Sequence, residues 1–401
     1  MRLPLILDGA TGTNLEVFGF RPDDCLPLFA QKHKAEVTAL QKAYAAAGAG
    51  AVLAPTFGGN RTVLQRFDFS GDVAGLNQEL TAATRRVVGP DVLVGGDLSM
   101  TGQRPAPFGE IPFRQIVDDY AAQAAGIAAG GADFLICEAM TNMWEARAAV
   151  LGCRKTGLPV FITMSLNEDD ESPEDLPFLS FMVTMQALGA AAVGMNSFTD
   201  YDRAAALLEQ ARRYAQVPLI VRPAAGKPGK TLEPESFAFI CEGLYHAGAE
   251  MIGGCSRTSP GHIAALSAAI AKTAPLPPAQ PEDVWVAADD RDVYFLNDDD
   301  IVPSEPIRCG YDMGEDLIEM ERLEDGLVNA VRIHVDSVSD ALLLAEYAYM
   351  SKLPVMIQSD IPEALWEALF LYQGRALVDS QSEMEPETLR KIAAEFGAIL
   401  Y

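Results

Sequence analysis

Eight times before residue 272, a short apolar run of strand type is followed by a stretch with helical spacing. No other feature of this chain restricts its fold as tightly. The apolar runs are residues 4–8, 51–56, 92–98, 133–138, 159–166, 191–196, 218–223 and 251–255. Between them the 3.6-residue spacing predicts helices over 34–47, 113–129, 143–156, 201–215 and 233–247, each bounded by Gly, Pro or Asp. Strands that are apolar throughout, rather than alternating, belong to parallel sheets covered on both faces. Eight such βα units predict an α/β fold, a closed (β/α)8 TIM barrel, whose working residues gather at the C-terminal ends of the strands. Asp8, Thr56, Asp97, Glu138, Ser165, Asn196, Arg222 and Cys255 each end or follow a strand, so they should converge on one mouth.

The pattern stops at Thr273-Ala-Pro-Leu-Pro-Pro-Ala-Gln-Pro-Glu282, whose prolines favour an extended, semi-rigid connection. The expected layout is therefore a barrel over 1–272, a linker over 273–283 and a smaller α/β domain over 284–401. In the tail, units at 284–295, 306–309, 315–324, 330–336, 339–350, 354–359, 362–371, 376–380, 386–396 and 398–401 make only about four βα repeats, a partial barrel. A partial barrel leaves open sheet edges, which proteins cover or pair. The tail should accordingly pack on the first domain or on a second copy in a homodimer.

Charge narrows the partners. The net charge is −26, and residues 281–401 hold 27 acidic against 8 basic side chains. Nucleic acid and anionic membrane both select basic surfaces, so neither is an expected partner. The acidic tail reads as a solvated surface or as a docking face for a basic protein. Six widely spaced cysteines, with no Cys-x-x-Cys pair, fit a reducing cytoplasm. No window is long and apolar enough for a membrane span.

Several ordered motifs then point to a family. They are Asp8-Gly-Ala-Thr-Gly-Thr13, Ala54-Pro-Thr-Phe-Gly-Gly-Asn-Arg61, Ile136-Cys-Glu138, Gly194-Met-Asn-Ser197, Pro223-Ala-Ala-Gly-Lys-Pro228 and Met251-Ile-Gly-Gly-Cys-Ser-Arg-Thr258. Over about residues 1–272 the chain resembles the homocysteine S-methyltransferase family, including the homocysteine domain that opens cobalamin-dependent methionine synthases. The tail resembles the beginning of the pterin-binding domain that follows it, through Leu353-Pro-Val-Met-Ile-Gln-Ser359 and Tyr372-Gln-Gly-Arg-Ala-Leu-Val-Asp-Ser380. Gln358 and Asp379 stand where that resemblance would put the pterin-contacting Asp and Asn.

The resemblance implies methyl transfer to the sulfur of homocysteine or a related thiol, a step of methionine biosynthesis, on a zinc ion held by three cysteines. Here Cys255 stands at one ligand position, and Ser197 and Ser256 stand at the other two. A neutral hydroxyl is a far poorer zinc ligand than a thiolate, so the resemblance carries a degenerate metal site and zinc is doubtful. It also implies that Asp8 and Glu138 engage a substrate amino group, with Asn196 and the turn ending at Thr13 shaping the pocket. The bland alternatives are that Asp8 caps the next segment, that Glu138 pairs with a nearby arginine and that Cys255 is a structural thiol. His262 opens the helix after Cys255, but the family pattern has a histidine there that is not a ligand. The methyl donor is not legible. Two functions stand from the sequence: a thiol methyltransferase with Cys255 at its centre, or an inactive paralogue that binds a ligand or serves as a scaffold for a corrinoid or other methyl-transfer protein.

Overall fold

The computed structural model describes residues 2–166, 176–297, 301–310, 312–320 and 328–401, and among them eight short strands run parallel in a single sheet. They are β1 (Leu5–Ile6), β2 (Ala51–Ala54), β3 (Leu93–Leu98), β4 (Phe134–Met140), β5 (Val160–Ser165), β6 (Ala192–Asn196), β7 (Leu219–Arg222) and β8 (Ala249–Ile252). Each pairs with its neighbour in sequence, β8 pairs with β1, and a parallel bridge between Leu7 and Ala51 joins the remaining edges. The sheet is thus a closed (β/α)8 barrel, as the alternation of the sequence predicts. Its helices are α1 (Lys34–Ala46), α2 (Val73–Val88), α3 (Phe113–Ala129), α4 (Met143–Cys153), α5 (Phe178–Ala187), α6 (Tyr201–Arg212), α7 (Pro234–Ala247) and α8 (Pro260–Ile270).

Strand side chains alternate between the barrel interior and the helices. Leu5, Leu7, Leu53, Phe134, Ile136, Phe161, Ala192, Ile220 and Met251 fill the interior as one apolar cluster, with the Phe134 and Phe161 rings stacked 4.6 Å apart. Burying a side chain of this size contributes about 1.5–3 kcal/mol each. The same parity carried upward turns the next inward residues polar: Asp97 above Gly95, Glu138 above Ile136, Asn196 above Gly194 and Arg222 above Ile220. The opposite parity sends Cys137 outward to Cys153 of α4, with the sulfurs 3.7 Å apart and both buried.

The described residues divide into two compact units: Met1–Gln103 with Arg114–Asp175 and Ala190–Pro281, and Arg104–Phe113 with Leu176–Gly189 and Glu282–Tyr401. The second therefore draws on two segments that lie between barrel strands in sequence, including α5, whose Ser180 hydroxyl donates to the Asp289 carbonyl. Such a division is invisible to a linear scan, because it depends on contacts between distant segments.

In the second unit, β11 (Ile307–Arg308), β12 (Val331–His334), β13 (Val355–Gln358), β14 (Leu377–Val378) and β15 (Ile399–Leu400) form a parallel sheet in sequence order. The run at 284–295, read as one unit from sequence, is instead an antiparallel hairpin of β9 (Trp285–Ala288) and β10 (Val293–Leu296). The Asp289 carboxylate makes the reversal by accepting the Arg291 and Asp292 backbone N–H groups, both at 2.8 Å. Helices α9 (Met313–Met320), α10 (Val338–Tyr347), α11 (Pro362–Leu371) and α12 (Pro386–Glu395) connect the strands; the predicted extension over 321–324 lies outside the described residues. Gln358 approaches His334 Nδ1 at 3.3 Å, and Asp379 faces Arg332 at 3.5 Å, so both residues singled out by the pterin resemblance are engaged within their own sheet.

Ser337 caps α10, its hydroxyl accepting the Asp340 N–H at 3.2 Å. Ser337→Ala should lower the unfolding free energy by about 1 kcal/mol, measured by urea denaturation; an unchanged midpoint would mean that water replaces the cap at no cost.

Candidate functional site

The polar layer at the C-terminal ends of the strands is organised around one arginine. Arg222 ends β7, and its inward parity projects a guanidinium into the barrel mouth, where its side chain is 4% exposed. Nη1 donates to Glu138 Oε2 at 2.8 Å, Nη2 to Asp8 Oδ1 at 3.1 Å, and Nε to the Gly254 carbonyl at 3.0 Å. Asp8 uses its other oxygen to accept the Leu53 backbone N–H at 2.8 Å, which ties β1 to β2. The two carboxylates that the sequence marks for a substrate amino group thus meet each other through Arg222. The sequence does carry a signal for this residue: a lone cation ending the apolar strand Leu-Ile-Val-Arg at an inward position.

Asp97 completes the cluster. Burial, and then the neighbouring Glu138 charge, push its carboxyl well above the ordinary carboxylate range, and it is hydrogen-bonded to Glu138. Asp97 Oδ1 and Glu138 Oε1 meet no N–H or O–H donor among the described residues.

Burial also raises Asp8, to about 6, with Arg222 opposing the shift and Glu138 adding to it. The native state therefore holds this proton through a window in which the unfolded chain has released it, and stability falls as pH rises through that window. The difference in unfolding free energy between the wild type and Asp8→Asn should fall by about 2 kcal/mol between pH 4 and pH 7. A flat difference, measured by denaturation across that range, would show that Asp8 ionises as freely as in the unfolded chain.

Cys255 follows β8 and is half-buried, its N–H donating to the Pro223 carbonyl at 2.9 Å. Its sulfur lies 3.0 Å from Ser197 Oγ and 4.0 Å from Ser256 Oγ, so the three positions named from sequence do come together. Asn196 is buried beside them and accepts the Ala139 N–H at 3.2 Å. Thr13 accepts the Arg257 N–H at 3.2 Å, joining the segments that follow the paired strands β1 and β8. His262 turns away: its Nδ1 takes part in the cap at Ser259, and its Nε2 lies 2.8 Å from the Leu232 carbonyl oxygen.

As a donor set, this trio does not fit the three-thiolate zinc site. Two of its three atoms are neutral hydroxyls, which supply neither the charge nor the softness that holds zinc in a structural or catalytic site. Among the described residues no group of three or more His, Cys, Asp or Glu is placed to hold a metal ion. What the cluster does supply is a thiol beside a buried cation, for Cys255 and Arg222 interact electrostatically.

Backbone strain marks the same place. Four described non-glycine residues have left-handed backbones, and three of them are Ala139, at the register shift near the end of β4, and Ser197 and Arg257, in the loops after β6 and β8, at φ near +60 to +66°. Such conformations cost of order 1 kcal/mol or more each and concentrate where a side chain must be aimed.

Known proteins share this architecture. A family model described as homocysteine S-methyltransferase matches residues 5–270. The methionine synthases of Mycobacterium tuberculosis and Mycobacterium leprae are each 27% identical, over 293 and 294 residues, or 67% of this chain and 24% of theirs. The chain thus spans about a quarter of the length of these relatives. The metallated form of the homocysteine methyltransferase MmuM from Escherichia coli superposes with a TM-score of 0.56 at 22% identity, covering 66% of this chain and 95% of that one; its oxidised form matches with the same score at 21%. These structures share the fold. Among the described residues no helix is long and apolar enough to cross a membrane. Matched across the whole barrel, the chain belongs to the homocysteine S-methyltransferase family.

Proposed function

We propose that the barrel mouth binds homocysteine or a related small thiol and that this chain transfers a methyl group to the ligand's sulfur without a three-thiolate zinc site. The observation that carries this reading is the meeting of Cys255, Ser197 and Asn196 with the Asp8–Arg222–Glu138 network at one strand-end mouth. A free thiol is only a few per cent ionised at neutral pH, so the acceptor sulfur needs a nearby positive charge. Arg222 is the buried cation in reach of the Cys255 position, and a guanidinium stays charged there. In the transfer the thiolate sulfur attacks the methyl carbon of an electrophilic donor, the donor's bond to that carbon breaks onto the donor, and the thiol proton goes to solvent. Thr13, Asp8, Glu138 and Asn196 shape and hold the pocket; Cys255 lines the position of the sulfur.

The replacement of two thiols by Ser197 and Ser256 favours a second reading, a ligand-binding or scaffold subunit for a corrinoid or other methyl-transfer partner. Incubation of the purified protein with homocysteine and a methylated corrinoid or methylsulfonium donor, with and without a chelator, separates the two. S-methyl product that persists in chelator and falls at least about tenfold in Cys255→Ala supports the transferase. Saturable thiol binding with no product leaves the scaffold; product that vanishes with the chelator restores a metal mechanism.

A further inference from the structure

The turn that carries Cys255 is tied to the loop after β1 by one buried hydroxyl. Residues 255–258 form a four-residue turn in which the Thr258 N–H donates to the Cys255 carbonyl at 3.1 Å and Arg257 takes the left-handed position. The Thr258 side chain adds a second bond within it, Oγ1 donating to the same carbonyl at 2.6 Å. That oxygen also accepts the Ala10 N–H at 2.9 Å, from 248 positions away in sequence. A hydroxyl both donates and accepts, so this one buried side chain uses both capacities to join the backbone of the thiol to the turn that follows Asp8. The fit around it is close. A methyl group at Gly9 would overlap Thr258 Oγ1 and Tyr44 Oη, and one at Gly254 would overlap Thr258 Oγ1, so the two turns approach through bare glycine backbone. Asn14 Nδ2 donates to the Thr258 carbonyl at 2.7 Å and to the Ala10 carbonyl at 2.8 Å, and the Tyr44 hydroxyl donates to the Ala10 carbonyl at 2.8 Å. The transfer chemistry described above uses none of these groups.

We propose that Thr258 is a positioning residue of the barrel mouth: its hydroxyl clamps the Cys255 turn to the Gly9–Ala10 turn and so sets where the Cys255 thiol lies relative to Ser197, Asp8 and Arg222. Its catalytic consequence rests on the transferase reading above; its structural consequence does not. The backbone of Cys255 is held at two points, its N–H on the Pro223 carbonyl and its carbonyl by Thr258. Removing the hydroxyl takes away one donor to that carbonyl and the acceptor of the Ala10 N–H. A buried donor left without a partner is relieved when the segment opens to water, so the turn should open more often while the barrel stays folded. Opening frees the thiol, which in the closed turn is half-buried and 3.0 Å from Ser197 Oγ.

Site-resolved alkylation of the full chain by iodoacetamide under native conditions, read by mass spectrometry, tests this. In Thr258→Val, which keeps the shape and removes the hydroxyl, Cys255 should react about tenfold faster than in wild type. Cys241, buried in α7 of the same barrel, should stay protected. Thr258→Ser should restore the wild-type rate. In the methyl-transfer assay the valine variant should lose about tenfold in kcat, with the KM for the thiol within about twofold, and serine should recover it. A Cys255 rate in Thr258→Val within about twofold of wild type overturns the positioning role. So does a rise at Cys241 in step with Cys255, which marks general loosening of the barrel. Amide exchange on the wild type needs no variant: the Ala10 N–H should be slowed at least about hundredfold, and free exchange there overturns the clamp even where Thr258→Val does not fold. Wild-type protein that forms no S-methyl product removes the transferase reading, and the clamp is then decided by alkylation and exchange.

Discussion

Arg222→Met should destabilise the protein by about 3–5 kcal/mol at pH 7, and the deficit should shrink as the solution is acidified. The guanidinium is the counter-charge for Asp8 and Glu138, whose side chains are 2% and 8% exposed. Methionine keeps much of the volume and removes the charge, leaving two carboxylates in a dry site with Asp97 beside them. Burial already outweighs Arg222 in setting the Asp8 proton, since that carboxyl is pushed up to about 6 with the arginine present. Without the arginine, the Asp8 carboxyl will hold its proton to higher pH. A variant that binds more protons when folded than when unfolded loses stability as pH rises, which gives the slope its sign. Denaturant melts of both proteins at pH 5 and pH 7 check this. Equal stabilities at pH 7, or a deficit that does not change with pH, would mean that the network is hydrated and carries little net energy.

Gly194→Ala should be nearly as damaging, at about 3 kcal/mol or more, for a steric reason. Gly194 lies mid-strand in β6, and a methyl there would overlap the Ile220 carbonyl of β7. The obstacle is backbone engaged in the sheet, which cannot step aside as a side-chain tip does, so overpacking strains the barrel wall itself. The same strand ends in Asn196 and Ser197, and any shift should also move the Ser197 hydroxyl from its 3.0 Å contact with Cys255. A melt within about 1 kcal/mol of wild type would show that the barrel relaxes more easily than close packing allows.

Much of this molecule was legible in the chain. Helices over 113–129 and 362–371 fall where the spacing puts them, as Phe113–Ala129 and Pro362–Leu371, because punctuation by Pro and Gly and a continuous apolar face agree at both ends. The inward placement of Glu138, Asn196 and Arg222 follows from the two-residue period once the interior residues are known. The hairpin at Trp285–Leu296 was not legible, because its turn is made by the side chain of Asp289 rather than by glycine. Nor was the grouping of α5 with the C-terminal unit.

The site divides in the same way. By itself the sequence determined the barrel, the family and the presence of one thiol with two hydroxyls at the metal-type positions, since these depend on residue type and local order. Only the tertiary structure decided that Asp8 and Glu138, 130 positions apart, are bridged by Arg222, that Asp97 is buried against Glu138, and that Arg257 opens onto a pocket beside Thr13. The physical reason is that charge pairing and desolvation act through space at a few ångströms. Closing the barrel sets those distances, and no spacing along the chain encodes them.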